Sequence, residues 1–336
     1  MERQRKPLLG LAPMAGITNK PMRMLALEYG ADYACTEMVS AIGLMYSKAS
    51  NDSYRRLVET DPREQNTALQ LFGKDPLVMG EAARKATEMG RFSMIDLNMG
   101  CPARKVVSSG EGSALLKDPD LAFRLMEAVK ISTPLPVTVK TRLGYDEESR
   151  NALLLAQAAQ TLGLRWICIH GRTRQQMYSG QADWDAIGEI RSRVNIPVIA
   201  NGDVFTGKDG AEMLRRTGAD GLMVGRGAMG NPQLFRELRG VVDNGIPGAA
   251  ATPAERLETA LRHAKALSAF EGERLAVTEM RTHLGHYIAG LRGAAALRRQ
   301  LCAVATLEEV EELLKIAGQL QESESPGSFP DKEERQ

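Results

Sequence analysis

The chain has 336 residues, 43% hydrophobic and 25% charged, with a formal net charge of +1. These proportions belong to an ordinary globular protein and exclude wholesale disorder, collagen and a disulfide scaffold, while the near-zero charge argues against a strongly basic nucleic-acid binder. At about 150 residues per domain the length fits two domains, or one (β/α)8 barrel of about 250 residues with an appendage.

In chain order, eight short apolar runs stand at 8–14, 33–39, 67–72, 94–99, 137–141, 166–170, 197–201 and 222–225. Each is apolar on both faces, as parallel strands covered by helices are, and each is followed by a longer amphipathic stretch. Asp75-Pro76 opens a helix to about Met89, and Lys117-Asp118-Pro119 opens another with apolar spacing through Leu121, Leu125 and Val129. Eight such units predict a closed (β/α)8 TIM barrel. The alternative, a doubly wound sheet, lacks its Gly-x-Gly-x-x-Gly after the first strand. Past Val242 the turn-rich Asp243 to Gly248 leads into a stretch, Pro253 to Leu320, that reads as helix throughout. The expected division is a barrel over 1–242, an all-helical domain over 243–320 and an acidic, disordered tail over 321–336. That tail carries five acidic residues against two basic ones, which leaves the body mildly basic and open to a polyanionic partner.

No run of about 18 apolar residues marks a membrane helix, and Met1 to Pro7 holds no apolar signal core. The cysteines Cys35, Cys101, Cys168 and Cys302 form no C-x-x-C pair. A cytoplasmic protein with free thiols, no metal and no membrane contact is expected.

Active sites of this fold form at the C-terminal strand ends, so the residues closing each run carry the chemistry. The seventh and eighth runs end in Asn201-Gly202-Asp203 and Gly225-Arg226-Gly227, where glycine backbone and an arginine suit a phosphate. Lys140, ending the fifth run near Arg142, fits two roles: a Schiff-base amine, or a fixed cation beside an anionic ring. Gln70 and His170 offer donors and acceptors to the edge of a heterocycle. Cys101 lies in a Gly-Cys-Pro turn past the fourth run, open to the barrel mouth. An ordinary thiol, with a pKa of about 8.5, is mostly protonated at neutral pH without a cationic neighbour, which suits a general acid; a thiolate nucleophile is the alternative if Arg104, Lys105 or His170 assists. The other three cysteines read as packing residues.

Four motifs in order, Ala12-Pro13-Met14-Ala15-Gly16, Asn98-Met99-Gly100-Cys101-Pro102-Ala103-Arg104-Lys105-Val106, His170-Gly171-Arg172-Thr173-Arg174 and Val224-Gly225-Arg226-Gly227, resemble those of the tRNA-dihydrouridine synthases, in particular their bacterial DusB-type branch. The resemblance runs from about Leu9 to Leu320 with no departure at a functional position. It implies a flavoenzyme that reduces D-loop uridine in tRNA to 5,6-dihydrouridine, with FMN in the barrel, NADPH as reductant and a C-terminal four-helix domain gripping tRNA. It further implies that Pro13, Met14 and Ala15 lie along the flavin, that Gln70, Lys140 and His170 meet its polar edges, and that Asn201, Gly202, Asp203, Gly225 and Arg226 hold its phosphate. Under it the Schiff-base role of Lys140 falls away, Cys101 protonates carbon 5 of the uracil and Asn98 meets the base edge.

A buried base must be flipped out, at a cost of a few kcal/mol, which calls for binding energy elsewhere on the RNA. Arg104, Lys105, Arg172 and Arg174 near the mouth and Arg281 and Arg298 in the helical domain are the expected phosphate contacts. His283 and His286 stand i, i+3 without an acidic or cysteine partner and are read as structural or RNA-facing. Competing expectations are a dehydrogenase of a small pyrimidine or enone, and an RNA-binding protein without catalysis. The helical domain weighs against the first, and the intact Cys101, Lys140 and phosphate loops against the second. A monomer is expected.

Overall fold

The computed structural model describes residues 6–46 and 52–322. The chain divides into two compact units, Met1–Ala250 and Ala251–Gln336. In the first, nine parallel strands are present: β1 (Leu8–Leu11), β2 (Tyr33–Cys35), β3 (Val39–Ser40), β4 (Thr67–Phe72), β5 (Met94–Met99), β6 (Val137–Arg142), β7 (Trp166–His170), β8 (Val198–Asn201) and β9 (Gly221–Val224). The order β2-β1-β9-β8-β7-β6-β5-β4 closes through the β2–β4 pairing into an eight-stranded barrel, and β3 adds a two-residue pairing beside β4. The chain thus has a (β/α)8 TIM-barrel fold followed by C-terminal helices. The predicted run 33–39 is broken because Thr36 turns out of line: its hydroxyl donates to Glu37 O at 2.8 Å and accepts from Gln70 N at 3.1 Å.

The helices between strands begin where the sequence supplies caps. Asp75 accepts from Val78 N ahead of α4 (Pro76–Glu88), and Asp118 accepts from Leu121 N ahead of α6 (Pro119–Ser132). Proline follows each cap, satisfying helix N–H groups while placing a residue that needs no N–H partner. Ahead of α9 (Gly207–Thr217), Thr206 and Asp209 form a reciprocal capping box, and Gly218 closes that helix at φ +59°. The elements α1 (Lys20–Glu28), α2 (Ala41–Tyr46), α3 (Asp52–Val58), α5 (Arg104–Ser108), α7 (Ala152–Thr161), α8 (Trp184–Ser192) and α10 (Leu234–Asn244) complete the unit's described helices.

Strand alternation separates two apolar layers. Leu9, Leu69, Leu71, Ile95, Leu97, Val139, Ile167, Ile169 and Leu222 pack with the surrounding helices. Tyr33, Cys35, Ala68, Met94, Trp166, Cys168, Ile199 and Met223 form a separate cluster. Continuing that second parity towards the strand ends, apolar residues give way to Gln70, Asp96, Asn98, Thr138, Lys140, His170 and Asn201. The same alternation that fills the barrel therefore delivers a polar layer at its C-terminal end.

The second unit holds four helices among the described residues, α11 (Pro253–Glu271), α12 (Glu273–Tyr287), α13 (Ala294–Leu301) and α14 (Leu307–Glu322), around a core that includes Leu267, Met280, Leu284, Tyr287 and Val310. Beyond Glu322 the expected acidic tail lies outside the described residues. Among the described residues, no helix is long and apolar enough to cross a membrane, and no group of three or more His, Cys, Asp and Glu is placed to hold a metal ion.

Candidate active site

The C-terminal strand ends of the barrel enclose a cavity of about 510 Å³. Pro13, Met14 and Ala15 after β1, Gln70 on β4, Lys140 on β6, His170 on β7, Asn201 to Asp203 at the end of β8, and Gly225 and Arg226 after β9 all line it. Asn98 and Cys101, from β5 and the turn after it, line the same space. Residues up to 213 positions apart in sequence are gathered because each ends or follows a strand of one closed barrel.

On one wall, Asn201 Nδ2 donates to Met223 O at 2.6 Å, which turns Asn201 Oδ1 towards His170 Nδ1 (2.9 Å) and Lys140 Nζ (3.2 Å). The facing atom being an acceptor, Nδ1 carries the proton of His170 and Nε2 is a bare acceptor. Nε2 is buried and has no hydrogen-bond partner among the described residues. Burial, followed by the charges of Lys140 and Arg142, holds the His170 pKa well below its ordinary value, so the ring is neutral.

The turn carrying Cys101 is held from several sides. Asn98 Oδ1 accepts from the backbone N–H groups of Gly100 (3.2 Å) and Cys101 (2.9 Å), while Asn98 Nδ2 donates to Gln70 Oε1 at 2.8 Å. The Asn98 amide, expected to meet a substrate base, thus also holds the cysteine turn. Cys101 O accepts from the N–H (3.1 Å) and the hydroxyl (2.9 Å) of Ser113. Buried Arg142 donates to Gly100 O at 2.9 Å, Thr173 O at 3.0 Å and Met177 O at 2.8 Å, tying this turn to the loop after β7. Burial pulls the Arg142 pKa down to about 10, which still leaves it charged at neutral pH. Cys101 is half-buried, whereas burial inside the barrel pushes the Cys168 thiol up to about 12 and that of Cys35 well above its usual range. Only the cysteine at the cavity is placed for chemistry there.

At the other end, Arg172 is 1% exposed and forms a two-pronged ion pair with Asp203 (2.9 and 2.5 Å), two further donors going to Ser179 O and Gly180 O. Arg172 was expected among the phosphate contacts of an RNA; its burial and its four hydrogen bonds to internal partners turn it away from that role. Asp203 also accepts from Arg226 at 2.8 Å and from Ala182 N at 2.8 Å. Burial raises the Asp203 pKa, but the bonds from Arg172 and Ala182 and the charges of Arg172 and Arg226 outweigh it, and the net shift is downward. The carboxylate therefore faces cations, and what this corner offers an anion is backbone. Outside the strand and helix ladders, no backbone hydrogen bond among the described residues uses the N–H groups of Asp203, Gly225 or Arg226. Gly202 sits at φ +128°, and a Cβ there would lie 2.7 Å from that of Ala182. Arg226 is itself stacked over Tyr178 (4.6 Å) and Phe205 (5.6 Å).

Of the other predicted cations, Arg104 and Lys105 are exposed on α5, and Arg174 is half-buried with its guanidinium 5.3 Å from the Tyr145 ring. In the helical unit Arg298 is exposed, but Arg281 donates to Val304 O at 2.8 and 3.2 Å, and Arg256 donates to the carbonyls that end α12. Arg256 thus caps the end of α12, and Arg281 ties α12 to the connection between α13 and α14. His283 is 1% exposed and packs 4.4 Å from the His263 ring, a core position. Sequence reasoning gave no part to Asp96, Thr138, Tyr178 or Phe205. Asp96 carried a signal in its strand parity with Asn98, whereas Tyr178 and Phe205 sit in irregular loops that no periodicity marks.

A family model described as dihydrouridine synthase matches residues 10–323. The chain is 39% identical over 306 residues to tRNA-dihydrouridine synthase B of Vibrio cholerae, covering 91% of this chain and 94% of that one. It is 40% identical over 291 residues to the protein of the same name from Pseudomonas syringae pv. tomato, covering 86% and 84%. Among solved structures, histamine dehydrogenase from Rhizobium sp. 4-9 superposes with a TM-score of 0.53 at 13% identity, covering 82% of this chain and 48% of that one, a likeness of fold alone. Together with the barrel, the motifs and the cysteine turn, these matches place the chain in the dihydrouridine synthase family, flavin-dependent oxidoreductases that reduce uridine in tRNA.

Proposed function

We propose that the barrel cavity binds FMN, that NADPH is the reductant, and that a uridine of the tRNA D-loop is the substrate, with Cys101 as the acid. The residues present fit such a cofactor. Among the described residues His170 Nε2 is a buried acceptor without a partner, Lys140 presents an ammonium, and Asp203, Gly225 and Arg226 offer backbone donors outside the ladders. A polar heterocycle with a phosphate tail satisfies all three. Bound there, FMN supplies the hydride that reaches carbon 6 of the uracil and is recharged by NADPH.

The chain's own residues do the rest. Pro13, Met14 and Ala15 form an apolar wall, Gln70 and His170 meet polar ring edges, and Lys140 places a fixed cation where electron density gathers. Cys101 holds a proton at Sγ and delivers it to carbon 5, yielding 5,6-dihydrouridine. Arg142, Asn98 and Ser113 fix the turn that carries it. The helical unit is the tRNA grip of this reading, with Arg298 on it and Arg104, Lys105 and Arg174 on the barrel as phosphate contacts.

The carrying observation is that thirteen residues drawn from seven barrel strands and the segments after them line one cavity, with the cysteine turn clamped at its edge. Cys101→Ala tests it. The variant is expected to keep its flavin and to oxidise NADPH within about twofold of the wild-type rate, while dihydrouridine formation, read by mass spectrometry of digested tRNA, falls about 10²- to 10⁴-fold. Undiminished product from that variant contradicts the acid role.

A further inference from the structure

We propose that Asp96 is a positioning residue whose buried carboxylate sets the direction of a hydrogen-bond chain, through Gln70 and Asn98, that holds the Cys101 turn. Asp96 lies on β5, is 1% exposed and touches none of the atoms assigned a role above except Gln70. Its Oδ2 accepts from Gln70 Nε2 at 2.7 Å and its Oδ1 from Thr138 Oγ1 at 2.6 Å.

Direction is the point of this arrangement. A primary amide donates from one end and accepts at the other, so its orientation follows from its neighbours. Facing the Asp96 carboxylate, Gln70 must present its NH2, which leaves Oε1 for Asn98 Nδ2 at 2.8 Å. Asn98 is then turned so that Oδ1 meets the N–H groups of Gly100 and Cys101. Backbone N–H groups only donate, so the far end of the chain demands what the carboxylate imposes at the near end. Flipping either amide sets oxygen against oxygen or N–H against N–H in a buried layer, where an unmade bond is costly. Burial pushes the Asp96 pKa up, and Thr138, Gln70 and Lys140 counter it; either protonation state leaves an oxygen to accept from Gln70. The link from this chain to catalysis rests on the acid role proposed for Cys101, whereas the chain itself does not.

The test reads the Cys101 turn without turnover. In the full-length protein as purified, iodoacetamide labelling of Cys101 is followed by peptide mass spectrometry, with exposed Cys302 as the internal standard. Asp96→Ala should raise the Cys101 rate threefold or more, Asn98→Ala should do the same, and the double variant should go no further, because one chain is cut twice. Asp96→Asn keeps an acceptor towards Gln70 by turning its NH2 to the Thr138 hydroxyl and should stay under threefold. Thr138→Val disturbs the same buried layer without cutting the chain and should also stay under threefold, even if its Tm falls as far as that of Asp96→Ala. The proposal is overturned by a rise under threefold in Asp96→Ala, by multiplying effects in the double variant, or by Asp96→Asn or Thr138→Val matching Asp96→Ala. In the tRNA assay, Asp96→Ala should lower kcat for dihydrouridine at least tenfold with KM for tRNA within threefold. Unchanged kcat alongside the expected labelling pattern would leave the chain standing and reject the acid role of Cys101.

Discussion

Arg172 and Asp203 show how one side chain can be claimed by the fold. Arg172 is buried, its partner carboxylate is a fifth exposed, and the pair is closed by two short bonds. Truncating the arginine leaves the carboxylate only Arg226 and the Ala182 N–H, so Arg172→Ala should cost about 3 kcal/mol in a urea titration. Arg172→Lys should recover little of this, because an ammonium cannot reproduce the two-pronged geometry or reach Ser179 O and Gly180 O as well. An unfolding midpoint within error of wild type for the alanine variant contradicts the strut role. From sequence, an arginine in His170-Gly171-Arg172-Thr173-Arg174 looks the same whether it faces solvent or a carboxylate 31 residues away, and so its burial was illegible. The link from Asn98 to Gln70 was hidden for the same kind of reason, because the two become neighbours only when β4 and β5 pair.

Among the elements, strands were the most legible, since runs buried on both faces advertise themselves and caps followed by proline mark the helices. The split at Thr36 was hidden because it depends on one hydroxyl meeting Gln70 N across the β2–β4 pairing. In the helical unit, α11 and α12 bring His263 and His283 together in the core. Burial and then the neighbouring histidine hold His263 well below its ordinary pKa, and burial and then His286 bring His283 down to about 4. Both pKa values are depressed on folding. The unfolded chain therefore takes up protons near pH 6.5 while the folded one does not, and stability is full above that pH and falls as pH drops towards 4. The slope is at most about 1.4 kcal/mol per pH unit for each histidine. Replacing His283 with Gln should flatten the fall in urea midpoint between pH 6.5 and 4.5, monitored by helical circular dichroism. A slope equal to wild type would falsify the claim that these histidines govern it.

For the whole molecule, the polar layer of the barrel was readable as a set from the strand ends, and the basic surface was not. Of the cations expected to meet RNA, Arg104, Lys105 and Arg298 are exposed, Arg172 is buried against Asp203, and half-buried Arg281 turns Nε and Nη2 to Val304 O. Charge reversal at Arg104 and Lys105 together, and separately at Arg298, should weaken tRNA binding. It should also shrink the salt dependence of the affinity by about one power of salt concentration for every phosphate that the variant no longer neutralises, without changing flavin content. An unchanged salt slope moves the RNA path off these residues. The central claim, that one cavity joins a reduced flavin to a tRNA uridine, is tested most directly by anaerobic stopped flow. The purified protein is reduced with NADPH and mixed with unmodified bulk tRNA while flavin absorbance is followed. The account predicts rapid reoxidation that depends on the tRNA and leaves dihydrouridine in it; a flavin that stays reduced in the presence of tRNA contradicts it.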